Sequence, residues 1–228
     1  MIYAMSDLHG QYEKYLAMLE KIGLGEGDTL YLLGDFVDRG EGGVKILLDV
    51  MRRKNVKPLI GNHDWTMASL MLNEKALLGK MGKEGLLGLY RLWFSDGGLP
   101  TYRALRALDP IKREVVLRFT DNMDFIAEVN AGGKDFILSH TVPRFDPAVP
   151  LTDHPASDFI HGEPDYKTRY FPEKTVVTGH TPTHLIDPAY EGRIWQGNGH
   201  IALDCGAGFG GPLGCICLDT LEEFYVAG

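Results

Sequence analysis

Thr29-Leu30-Tyr31-Leu32-Leu33-Gly34-Asp35-Phe36-Val37-Asp38-Arg39-Gly40 is the stretch on which the fold is decided. An apolar, strand-like run closes on a glycine, and two aspartates and an arginine follow within five positions. The same pattern precedes it, where Ile2-Tyr3-Ala4-Met5 leads into Asp7-Leu8-His9-Gly10, and follows it, where Val56 to Ile60 leads into Gly61-Asn62-His63-Asp64. Between these runs, Tyr12, Tyr15, Leu16 and Leu19 share one helical face, stopped by Gly23 and Gly25. Val44, Ile46, Leu47, Leu48 and Met51 mark a second helix. Strand, polar motif and helix, repeated twice, is the pattern of βαβ units in a largely parallel sheet, which makes the chain α/β.

Further along, Trp65 to about Leu108 turns to Leu, Met, Ala, Lys and Glu with interrupting glycines, and reads as a helical insertion covering one side of the sheet. Phe125 to Val129 and Phe136 to Leu138 flank Asn130-Ala131-Gly132-Gly133, a hairpin signal whose second strand runs into Ser139-His140. Residues 141–172, rich in Pro, Asp and His, read as a long surface loop beside the site. Short strands then return at Thr175–Thr178, Arg193–Trp195, Ile201–Leu203, Gly214–Leu218 and Phe224–Val226, and read as a mostly antiparallel sheet. The 228 residues suit one domain spanning 1–228.

Composition narrows the function. With 31 acidic against 23 basic residues and a formal charge of -8, broad nucleic-acid binding through a basic face is disfavoured. The three cysteines, Cys205, Cys215 and Cys217, have neither zinc-knuckle nor disulfide-framework spacing and read as small core residues of a cytoplasmic protein. Met1 to Met5 run straight into the first motif without a basic leader, and no long apolar stretch occurs, so neither secretion nor membrane binding is expected.

In extended chain, residues two apart point to one side, so Asp7 and His9 can grip one cation while Leu8 turns into the core. Asp35 can bridge to a second cation, which Asn62, His140 and His180, the last in Gly179-His180-Thr181-Pro182, would complete. Mixed nitrogen and oxygen donors suit manganese first, with iron or zinc as alternatives. Two such ions roughly 3.5–4 Å apart would turn a water into hydroxide near neutral pH. His63 is then the candidate general acid for a departing alkoxide, Asp38 its orienting partner, and Arg39 a forked clamp for phosphate oxygens. Taken singly, each motif is ordinary strand-to-loop punctuation, and Asp38 with Arg39 reads equally as a surface ion pair. Five ordered motifs, each after its own strand, favour the site. The remaining histidines, His154, His161, His184 and His200, read as surface or hydrogen-bonded residues.

These motifs resemble those of the calcineurin-like metallophosphoesterases, and within them the small bacterial and phage protein serine/threonine phosphatases. Trp93-Phe94-Ser95-Asp96-Gly97-Gly98, Thr101 and Leu203-Asp204-Cys205-Gly206-Ala207 add to the resemblance. It implies a two-sheet sandwich flanked by helices (α/β, or α+β). It also implies Asp7, His9 and Asp35 on one metal, and Asp35, Asn62, His140 and His180 on the other. A family arginine between the last two metal histidines is matched to Arg169, with Arg144 the second choice. Two positions depart from the pattern: Ile60 stands where the phosphatases usually carry arginine, and Asp64 where many carry glutamate.

The resulting expectation is a metal-dependent phosphoester hydrolase, first a serine/threonine protein phosphatase acting on a phosphoprotein or phosphopeptide. A dinucleoside tetraphosphate or other small-nucleotide hydrolase is the alternative. A non-catalytic scaffold on the same fold ranks last, because every ligand and acid position is filled.

Overall fold

The computed structural model describes residues 1–146 and 148–228. Its elements follow the alternation read from the N-terminal third: β1 (Ile2–Met5), α1 (Tyr12–Lys21), β2 (Thr29–Leu33), α2 (Gly43–Val50) and β3 (Val56–Leu59). Strands β1, β2 and β3 lie parallel and side by side. Four helices come next: α3 (Asn62–Leu72), α4 (Glu74–Ser95), α5 (Leu99–Ala107) and α6 (Pro110–Asp121). This helical stretch is longer at both ends than 65–108. The sequence does carry a start signal for α6, since Asp109 caps the N–H groups of Ile111 and Lys112, with Pro110 in the first turn. Of the glycines in α4, Gly82 alone leaves helical geometry.

The second sheet begins with the hairpin β4 (Ile126–Ala131) and β5 (Lys134–Ser139). Its strands are longer than expected and leave a two-residue turn, in which Gly132 and Gly133 both take positive φ (55° and 76°). That is the requirement of a type I′ turn, met most readily without a Cβ. After the short helix α7 (Asp158–His161) come β6 (Lys174–Thr178), β7 (Trp195–Gly197), β8 (His200–Ala202), β9 (Leu213–Cys217) and β10 (Glu223–Val226). The expectation of one mostly antiparallel C-terminal sheet is corrected. Strand β6 runs parallel to both β5 and β8, while β9 and β10 cross over to the first sheet, β9 antiparallel to β1 and β10 antiparallel to β9. The sheet orders are β10-β9-β1-β2-β3 and β4-β5-β6-β8-β7.

Alternation along the first sheet assigns each residue to a layer. Tyr3, Met5, Leu30, Leu32, Cys215 and Cys217 face the helices, in a core that includes Tyr15, Met18, Ile46 and Leu47. Ala4, Leu33, Leu59 and Ile216 face the other way and meet Val129, Phe136, Leu138, Val177 and Ile201 of the second sheet. The molecule is therefore a two-sheet sandwich flanked by helices. A residue such as Phe136, 1% exposed between the sheets, contributes on the order of 3 kcal/mol by leaving water.

Residues 141–172 do more than a surface loop would. Val142, Phe159 and Tyr170 pack with Val176 and close the outer face of the second sheet. A short 3-10 turn at Leu151–Asp153 and helix α7 give the segment structure of its own, and residue 147 within it lies outside the described residues.

Candidate metal centre

Each candidate ligand stands just past the C-terminal end of a strand. Asp7 and His9 follow β1, Asp35 follows β2, Asn62 follows β3 and opens α3, His140 follows β5 and His180 follows β6. Parallel strands from both sheets thus deliver their termini to one rim, the usual place for a site in such sheets. Leu8, between the first two ligands, is fully buried, as the two-residue spacing requires.

The backbone here is held in sparsely populated conformations. Among the described residues, eight non-glycine positions have positive φ, and six of them are Asp7, His9, Asp35, Asp38, Arg39 and His180; Asn198 and Leu221 are the others. Such conformations cost about 1–3 kcal/mol each for non-glycine residues, less for aspartate, and persist where the surroundings over-determine them. Gly34 makes the convergence possible. With φ at 89°, a Cβ there would fall 2.6 Å from Gly61 and 2.8 Å from His140 Nδ1.

The imidazoles present bare nitrogens to the centre. His140 Nδ1 donates to the Leu33 carbonyl at 2.7 Å and His9 Nδ1 to the Val37 carbonyl at 3.1 Å, leaving Nε2 of each ring without a proton. His140 Nε2 then lies 2.9 Å from Asn62 Oδ1, 3.1 Å from His180 Nδ1 and 3.6 Å from Asp35 Oδ2. His180 Nδ1 is also 3.1 Å from Asn62 Oδ1. Lone pairs that face one another at these distances repel unless a cation lies among them, so the donor set fits a metal. On the other side of Asp35, His9 Nε2 is 3.5 Å from Asp35 Oδ2 and 3.9 Å from Asp7 Oδ1.

Charge balance points the same way. Burial lowers His9 to about 3 and His180 to about 4, and lowers His140 as well, so all three rings are neutral and ready to ligate. Asp7 is raised, first by burial and then by the charges of Asp204 and Asp35. Asp204 is pushed to about 6, again chiefly by burial. Three buried carboxylates in one place are stable together only with positive charge between them.

His63 behaves differently. Its Nδ1 bonds Asp38 Oδ2 at 2.8 Å, while Nε2 faces Asp96 Oδ2 at 3.7 Å and Asp35 Oδ2 at 3.9 Å. Burial opposes the charged ring, but Asp35, the Asp38 hydrogen bond and Asp96 outweigh it and push His63 up to about 9. His63 lies close enough to His9 and Asp35 to share a cation with them, but a protonated ring is a proton donor and no ligand. Asp38 is itself fixed from outside the motif. Trp93 Nε1–H donates to its Oδ2 at 2.8 Å, and its backbone N–H donates to Thr101 Oγ1 at 2.8 Å. Arg39 is tied by its N–H to the Gly97 carbonyl, and its guanidinium reaches to 3.4 Å from His63 Nε2.

Trp93, Asp96 and Gly97, from the stretch that adds to the resemblance, stand at the site, where Trp93 supports Asp38, Asp96 faces His63 and the Gly97 carbonyl holds Arg39. Their signal in the sequence is the Trp93 to Gly98 stretch itself, in which Asp96, Gly97 and Gly98 directly follow the end of α4. Asp64 is a structural residue. Its carboxylate accepts N–H bonds from Asp35, Phe36 and Gly61, locking two motifs together. Ile60 is buried in the helix-side core and offers no phosphate contact.

Arg169 is not brought to the cluster. Its guanidinium donates to the carbonyls of Phe171 and Pro172 and rests on the turn at Gly199. Arg144 lines a separate cleft with Phe145, Val149, Leu151 and Tyr170. Arg39 is thus the one predicted arginine at the site. Among the other histidines, His200 is buried and bonded to Thr178, His154 pairs with Asp158, His161 meets Trp65 edge-on and His184 is exposed.

A rim of strand ends carrying this donor set, on this sandwich, defines a metallophosphoesterase. The chain belongs to the calcineurin-like phosphoesterases, whose family model matches residues 1–184. Among curated relatives it is 39% identical over 77 residues to the symmetrical bis(5'-nucleosyl)-tetraphosphatase of Neisseria gonorrhoeae, a match covering 33% of this chain and 28% of that protein. The chain therefore aligns with well under a third of that relative's length. A crystal structure assigned as a diadenosine tetraphosphatase superposes with a TM-score of 0.66 at 18% identity, covering 100% of this chain and 93% of that one. A serine/threonine phosphatase from Saccharomyces cerevisiae gives 0.59 at 14% identity, covering 100% and 79%. At these identities the solved structures speak for the fold.

Proposed function

We propose that this protein hydrolyses phosphomonoesters of alcohols, with phosphoserine and phosphothreonine in proteins or peptides as the first substrate class. The supporting observation is the Asp38–His63 pair, 2.8 Å apart and braced by Trp93. An alkoxide leaving group has a high pKa and must receive a proton as it departs, which is the task a protonated, carboxylate-held imidazole performs. Asp7, His9 and Asp35 would hold one divalent cation, and Asp35, Asn62, His140 and His180 a second, manganese first and iron or zinc next. When bound, the pair supplies Lewis acidity and an activated solvent nucleophile. Arg39 binds the non-bridging oxygens and holds the phosphate between the cluster and His63. His63 gives its Nε2 proton to the leaving oxygen, and Asp38 keeps the ring oriented. Both sheets and the helical insertion act as one catalytic unit. Three buried, unpaired cysteines suit a reducing cytosol, and among the described residues no helix is long and apolar enough to cross a membrane.

Replacing His63 with Asn is expected to lower turnover of a phosphoserine peptide by about 10²–10⁴ while an activated aryl phosphate loses far less. Equal losses on the two substrates would remove His63 from the acid role.

The second reading, hydrolysis of dinucleoside tetraphosphates, is favoured by the identity to the Neisseria enzyme. A phosphoanhydride releases a low-pKa phosphate and has little use for the Asp38–His63 pair. Manganese-loaded protein offered a phosphopeptide and diadenosine tetraphosphate side by side separates the readings. Turnover of the nucleotide alone would replace the first with the second.

A further inference from the structure

Phe209 is a large apolar side chain left 68% exposed, at the tip of a 3-10 turn, Ala207–Phe209. The turn is firmly anchored. Gly206 and Gly210 at its ends take left-handed φ, Asp204 Oδ1 accepts the Gly206 N–H, and a Cβ on Gly208 would fall 2.5 Å from the His9 ring. A ring so exposed adds little to the core. What it does touch is Arg39, whose guanidinium carbon lies 4.1 Å from the Phe209 ring centroid.

Arg39 itself is unusual for a half-buried arginine. Among the described residues no carboxylate lies within salt-bridge distance of it, and its guanidinium stands 3.4 Å from His63 Nε2, which offers it no acceptor when the ring is protonated. A carboxylate partner would fix the guanidinium but occupy its N–H donors and cancel its charge. A π face fixes it from one side and leaves both free, because the attraction comes from the ring quadrupole and uses none of the N–H groups.

We propose that Phe209 is a positioning residue: it seats the Arg39 guanidinium against its ring so that the full charge and the donor fork remain available to a phosphate group. The proposal rests on the reading of Arg39 as the phosphate clamp. It also accounts for an exposed phenylalanine that the fold does not need.

The test is a double-mutant cycle on the manganese-loaded full chain, reading competitive inhibition by inorganic phosphate during aryl phosphate hydrolysis. Phe209→Leu is expected to weaken phosphate inhibition about two- to five-fold, the range of a single cation–π contact. Phe209→Tyr, which keeps the ring, should restore inhibition to the level of the unsubstituted protein, a rescue that also separates the effect from misfolding. Arg39→Ala should weaken inhibition further, and Phe209→Leu added to Arg39→Ala should change nothing more. If Arg39→Ala weakens inhibition but Phe209→Leu leaves it unchanged, or its effect persists in full without Arg39, the positioning role is overturned and the clamp reading stands. If Phe209→Leu impairs nucleotide substrates alone and the cycle is additive, the ring contacts a base, and the proposal is likewise overturned. If Arg39→Ala leaves inhibition intact, the clamp reading itself fails.

Discussion

At the scale of single residues, the proposed mechanism gives chemically similar groups opposite tasks. Four histidines crowd one rim with Asp7, Asp35 and Asp38, and what distinguishes the candidate ligands from the candidate acid is each ring's second hydrogen bond. His9 and His140 give a proton to a backbone carbonyl and stay neutral, whereas His63 meets a carboxylate and stays charged. The sign for His63 follows from its raised pKa: the ring is protonated below about 9, and acid catalysis is lost as pH rises through that value. Bound cations counter the Asp35 contribution, so the alkaline limb of kcat is expected between 6.5 and about 9. Asp38→Asn removes the hydrogen-bonded carboxylate and should draw the limb down toward 6.5, which a pH–rate profile on a phosphoserine peptide would show. An unmoved limb would assign the titration to another group. The ligand types and their spacing were legible in the sequence. The Trp93 bond to Asp38 was not, because 55 residues separate the two and a tryptophan in an apolar helix looks like packing.

At the scale of elements, strand ends set the direction of the ligands, and loop-to-loop bonds set their separation. Asp64 is the joint. It sits in the first turn of α3 and gathers backbone N–H groups from both the Gly34 and Gly61 motifs. Asp64→Ala would strand three buried donors, and a loss of about 3 kcal/mol or more is expected in urea unfolding. The metal content should fall with it, since Asp35 and Asn62 are then no longer held in register. A cost under about 1 kcal/mol would show that the loops are fixed by other contacts. Periodicity found the βαβ units and the hairpin because their signals are local. It did not find that β9 and β10 return to the first sheet, since short apolar strands pair according to which edge is left uncovered.

At the scale of the whole molecule, the buried carboxylates Asp7, Asp35 and Asp204 would couple stability to metal on the proposed reading. Chelation is expected to lower Tm by about 5–10 °C per site released, the effect of ligand at a hundredfold over its Kd on a chain of this size, and added manganese should restore it. An unchanged Tm in chelator would mean that the rim is preformed without cations. Acid acts in the same direction. His9, His180 and His200 are neutral in the fold, with values lowered to about 3, 4 and 3, so the unfolded chain binds protons first. The contribution of these three rings to stability is full above 6.5 and falls as pH drops from there toward 4, by up to about 1.4 kcal/mol per unit for each ring. A flat stability profile across that window would contradict neutral, buried rings.

The sequence by itself determined the alternation of strand and motif, the donor types, and hence the family and its chemistry, because each motif is a run of neighbouring residues whose spacing fixes which side chains share a side. Only the tertiary structure decided which of the candidate arginines stands beside the cluster, what orients Asp38, and that Ile60 is core. Those outcomes depend on where distant loops meet in space, and the placement of Arg39 against Phe209 or of Arg169 on its own loop's carbonyls is settled by contacts that no local pattern encodes.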